Sequence, residues 1–175
     1  MSTATEARTY GRARQAIHWI ATVLILALIP IGFIMARTLD DGLRLSLYQA
    51  HLLIGWTVVA LALVRVIMRF RQRIPAPADL APWNRRLLHG VHWAVAVFPL
   101  LLAVSGFGTI LQNELLPVLQ AGEAPPATLD VATARTGHMI GSYLFSALLV
   151  VHVAGIVRHQ VRFGGAMAPM LRARR

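Results

Sequence analysis

The chain has no cysteine and no lysine in 175 residues. Without thiols it can form no disulfide, iron–sulfur cluster, thiolate zinc site or C-x-x-C-H haem attachment. Any metal chemistry must rest on His, Met or carboxylates. Acids are scarce too: seven Asp and Glu stand against seven His and 17 basic residues, all of them Arg. Only 14% of residues are charged, and they cluster between long uncharged runs. A formal charge of +10 would suit a nucleic-acid binder. Such a module, however, spreads its arginines over a solvated face. Here they flank apolar segments, which excludes nucleic acid as the partner and is the pattern of membrane topology.

What is abundant is hydrophobic surface. Apolar residues make up 57%, against about 45–50% in soluble domains, and the mean hydropathy is +0.60. One domain over residues 1–175 is the expectation. Four runs are long enough to cross a hydrocarbon core, which takes about 20 helical residues. They lie at about 17–36, 47–70, 87–111 and 138–161. Spanning segments must satisfy their backbone internally, so an all-α, four-helix integral membrane bundle is expected, with membrane lipid as its surroundings. The first run is too long for a signal peptide and no A-x-A-like site follows it. Pro30 with Gly32, and Pro99, fall inside runs and should kink them.

The arginines orient the bundle. Fourteen of the 17 precede the first run, lie in or between the adjoining ends of the second and third (Arg65 and Arg69 among them), or lie in the end of the fourth or beyond it (from Arg158), whereas Arg37, Arg44 and Arg135 fall on the other side. This predicts cytoplasmic N- and C-termini. The opposite side carries Asp40, Asp41, Glu114, Glu123 and Asp130. A short stretch around Asp40-Asp41-Gly42 should join the first two helices, and a Pro-rich loop at Ile74–Pro77 the next two. The connection of about 26 residues before the fourth helix is long enough to hold function or short helices of its own.

Seven histidines in so small a membrane protein call for a chemical explanation, because ionisable groups within a span are costly. His138 and His152 are 14 residues apart, about four full turns, so they share a face at two depths about 21 Å apart. His18 lies four residues inside Arg14, and His152 six residues from Arg158, so these two match in depth. His51 and His138 match near the opposite surface. Two imidazoles facing across a bundle core can hold haem iron from both sides, leaving no open site for oxygen chemistry. Zinc is disfavoured, since paired His without thiolate or carboxylate partners leaves its coordination incomplete. His92 rivals His18 as the inner ligand. His159, one face-turn beyond His152, is either a solvated interfacial residue or a quinone contact. Arg65 and Arg69 are expected to snorkel to the interface, with a haem propionate as the other partner open to them.

These residues resemble the bacterial cytochrome b561 family over about Arg12 to Met170. Arg14-x-x-x-His18-Trp19 resembles its opening helix, and His51-Leu-Leu-Ile-Gly55 running to Arg65 and Pro75-x-Pro77 its second helix and exit loop. His89-x-x-His92 with Gly106 is similar to the third helix, and His138, His152 and His159 to the fourth. Gly164-Gly165 with Met170-Leu171-Arg172 is similar to the tail.

The resemblance implies two haem b groups on His18, His51, His138 and His152, with His92 and His159 in supporting or quinone-contacting positions. It also implies an oxidoreductase that passes electrons from periplasmic superoxide to ubiquinone. The alternative is an electron-transfer subunit docking a redox partner protein such as a hydrogenase or formate dehydrogenase. A haem-free transporter or scaffold is the third possibility.

Overall fold

A computed structural model describes residues 11–71, 81–126, 129, 133–164 and 167. The Pro-rich loop at Ile74–Pro77, Asp130 and the tail motif from Met170 lie outside the described residues. Four long helices and one short one account for the regular structure, and there is no strand among the described residues. They are α1 (Arg12–Met35), α2 (Asp41–Arg71), α3 (Pro82–Gln112), α4 (Leu115–Gln120) and α5 (Thr133–Phe163). The four long ones are long and apolar enough to cross a membrane. A 31-residue helix is about 46 Å long, well beyond a hydrocarbon core of about 30 Å.

The helices therefore run past the apolar segments that announce them. α2 begins at Asp41 rather than near residue 47, and Asp41 and Gly42 form its first turn instead of a linker. α3 and α5 likewise begin at residues 82 and 133, five residues before their apolar runs. Hydropathy marks the part of a helix that lies in lipid, whereas its polar ends continue the backbone ladder into the interface. The starts are locally encoded. Asp40 Oδ1 accepts the Leu43 N–H at 2.7 Å, satisfying one orphan donor of α2. Pro82 occupies the first turn of α3, where its missing N–H is harmless. Pro30 and Pro99 both sit inside helices that continue through them.

α1 packs on α2, α2 on α3, and α3 on α5. Side chains bridge the fourth side, where Phe33 of α1 meets Tyr143 of α5 with ring centroids 5.3 Å apart. Midway along the bundle, Ile25, Val58 and Phe145 form a buried core. Phe98 stacks on Phe145 at 5.5 Å and 21°. Large side chains such as Leu53, Val104 and Val161 face outward, as a lipid-contacting surface requires.

The acid-rich end has a cap. After Asn113 the chain turns at Glu114, which adopts a left-handed conformation (φ 48°), and enters α4. Leu115 and Leu119 of α4 then bury against Tyr48 of α2 and Leu129. Arg44 pins this cap: its Nε–H donates to the Pro125 carbonyl at 2.7 Å, and its Nη1 to the carbonyls of Thr38 and Leu39. Its other amino group pairs with Asp41. The expected short helix in the long connection is α4. Arg44, expected as a connecting-loop charge, is instead a buried part of α2.

Candidate functional site

Five of the seven histidines gather at two levels, separated by the Ile25–Val58–Phe145 core. At the acid-rich end, His51 of α2 and His138 of α5 face each other with ring centroids 6.2 Å apart and planes at 75°. Each ring lies against a glycine of a third or fourth helix. A Cβ at Gly32 of α1 would come within 3.2 Å of the His51 ring, and one at Gly106 of α3 within 3.1 Å of the His138 ring. Any larger residue would displace the imidazoles, so these two glycines create the space in which the rings sit.

The nitrogens are distinguishable. His138 Nδ1–H donates to the Leu102 carbonyl at 2.9 Å, with the Ser105 hydroxyl 3.3 Å away. That bond assigns the proton to Nδ1 and leaves the Nε2 lone pair for a metal. His51 Nδ1 is buried and has no hydrogen-bond partner among the described residues.

At the arginine-rich end, His18 of α1, His92 of α3 and His152 of α5 line one cavity together with Arg14, Arg65 and Arg69. The rings of His92 and His152 are 5.1 Å apart, edge to face. His92 Nδ1–H donates to the Leu88 carbonyl at 2.7 Å, so its Nε2 is also directed to serve as a lone-pair donor. The structure thus brings His18 and His152 to the same cavity and adds His92, the rival named from sequence, beside them. His159 does not line this cavity; its ring lies 5.1 Å from Phe163 of the last turn of α5. His89 is exposed. Arg65 and Arg69 turn inward rather than outward: both line the histidine cavity, and the Arg69 guanidinium lies 4.8 Å from the Trp93 ring.

The donor set fits haem b. No group of three His, Asp or Glu that would hold a bare metal ion exists among the described residues. A porphyrin supplies four of iron's six ligands, so two imidazoles complete it. Two imidazoles bonded to one metal at about 2.0–2.1 Å each have ring centres about 6 Å apart, the separation of His51 and His138. The orphaned His51 nitrogen and the glycine-lined space point the same way.

Sequence reading missed the residues that orient these rings. The Leu102 carbonyl and Ser105 carry no signal of their own in an apolar helix. Gly32 stood out only as the partner of Pro30 in a kink, and Gly106 as part of a motif.

No curated protein matches the chain. The family described as prokaryotic cytochrome b561 matches residues 9–173, nearly its whole length. With four helices long and apolar enough to cross a membrane and this match over nearly its whole length, the chain belongs to the prokaryotic cytochrome b561 family of membrane electron carriers.

Proposed function

We propose that this chain is a two-haem oxidoreductase of the bacterial inner membrane. In this reading it takes electrons from superoxide at the periplasmic, acid-rich end and delivers them to ubiquinone at the cytoplasmic, arginine-rich end. His51 and His138 hold the outer haem, and His18 and His152 the inner. Two superoxide anions give up one electron each, leaving two molecules of dioxygen, and ubiquinone takes up both electrons with two protons to become ubiquinol. The observation that carries the reading is the gathering of histidines at two separate levels of one bundle. When bound, each haem supplies an iron centre that gains or loses a single electron.

The protein's own part is to hold and insulate. The Leu102 carbonyl fixes the His138 ring, and Gly32 and Gly106 leave room for both outer rings. The cap of α4, Leu129 and Pro125 keeps apolar surface over the outer pair. A dry, low-dielectric site raises the weight of every charge around it. The Arg excess at the end that bears both termini supports the cytoplasmic orientation. His159 and His92 are the contacts proposed for a quinone arriving at that end, able to hydrogen-bond its carbonyl oxygens and pass it protons.

A second reading is favoured by the arginines of the acid-rich end. Arg44 and Arg135 spend their guanidinium groups on the carbonyls of Pro125, Thr38, Leu39 and Leu129, and Arg37 on that of Phe33. That end also carries five acids against its three arginines, so its net field is negative and does not steer an anion. A docking protein with a basic face, such as the electron-donating part of a dehydrogenase, suits that surface. In the deciding experiment, oxidised purified protein receives pulses of superoxide while the haem spectrum is followed, with and without ubiquinone. Superoxide should reduce both haems and ubiquinone should reoxidise them. No reduction by superoxide would remove the first reading in favour of a protein donor.

A further inference from the structure

The inner cavity holds an unbalanced charge. Arg65 lies six residues, about 9 Å, from the end of α2, and His18 six residues from the start of α1, so the two are level in the bundle. Arg65 lines the cavity beside His18, His92 and His152 and makes no hydrogen bond or ion pair with any described residue. The described acids, Asp40, Asp41, Glu114 and Glu123, all belong to the opposite end.

A guanidinium stays protonated in any protein environment and carries five N–H donors. Within a membrane span, an unneutralised charge is costly and normally faces a partner. Arg69 makes the situation sharper. It is one turn along the same face of α2, and like charges four residues apart repel. Two cations turned into one cavity, when both side chains are long enough to reach the interface, imply an anion between them.

We infer that Arg65, with Arg69 one turn nearer the arginine-rich end, binds the propionate carboxylates of the inner haem. This rests on the two-haem reading. Haem b carries two carboxylates on one edge, and Arg–carboxylate pairs are often bidentate, which fixes orientation as well as charge. The clasp gives the inner haem a single rotational setting between His18 and His152. It also favours the reduced iron, because a nearby positive charge stabilises an added electron.

The test uses purified protein carrying His51→Ala, so that only the inner haem remains. Arg65→Met should keep the haem and its bis-histidine spectrum but lower the reduction equilibrium constant about tenfold, about 59 mV for one electron. Arg65→Lys, which keeps the charge, should recover most of it. Haem-free wild-type protein should take up ordinary haem at both levels and the dimethyl ester of haem at the outer level alone. Should Arg65→Met leave the midpoint unchanged and the ester fill both levels, the clasp is overturned while the two haems stand. A wild-type stoichiometry of one haem per chain would instead overturn the two-haem reading and the clasp with it.

Discussion

The imidazoles of His51 and His138 stand 6.2 Å apart, centroid to centroid, on α2 and α5, which pack less closely on each other than α1 on α2 or α3 on α5. α1 and α3, lying to either side, set this spacing by presenting a glycine to each ring. The arrangement of this pair is therefore a property of all four long helices, although only two of them carry its histidines.

Removing either member of this pair should remove one haem. His51→Ala and His138→Ala should each reduce the haem content from two per chain to one, measured as the pyridine haemochrome against protein. A variant retaining both haems would show that the pair is not a ligand set.

At the inner level the prediction must separate three histidines. His18→Ala and His152→Ala should lose the inner haem, whereas His92→Ala should keep it with an altered spectrum. The opposite result for His18 and His92 would make His92 the α3-borne ligand, in keeping with its Nδ1 bond to the Leu88 carbonyl.

Gly106 supplies a graded test of the outer site. A methyl group there would sit 3.1 Å from the His138 ring, a gap that closes with a shift of a few tenths of an ångström. Gly106→Ala should keep the outer haem with a changed visible spectrum. Gly106→Leu should expel it, with an overpacking penalty of about 1–3 kcal/mol. Equal haem content in both variants would mean that the ring has more freedom than the contact implies.

The Arg44 pin makes a prediction about stability rather than haem. Arg44→Ala would leave the Pro125 carbonyl without this donor at a buried position, and the carbonyls of Thr38 and Leu39 without it nearer to solvent. The loss should be about 1–3 kcal/mol. Faster hydrogen exchange in residues 113–126, with both haems retained, is the expected signature. Unchanged exchange there would show that the apolar contacts of Leu115 and Leu119 hold the cap unaided.

Much of this protein could be read directly from its residues. Four lipid-length apolar runs leave the backbone no alternative to helix, because hydrocarbon offers no other hydrogen-bond partner. Helical periodicity then sets His138 and His152 on one face at two depths. Matching depths against the flanking arginines singled out His51 and His18 as partners. Hydropathy was less informative about where each helix ends, since polar residues continue α2 into the interface: Asp41 stays exposed, and buried Arg44 finds its partners in Asp41 and backbone carbonyls.

Lateral relationships were beyond the sequence. Depth along a helix follows from counting residues, but which way a side chain turns depends on what its neighbours leave open. That is why Arg65 and Arg69, long enough to reach the interface, instead enter the cavity of His18, His92 and His152. It is also why Arg44 pins the cap. The sequence by itself determined a membrane bundle with histidines at two levels, because both follow from solvent and helical pitch. Only the tertiary structure decided which helices meet, and with that the glycine room around His51 and His138 and the cations around the inner site.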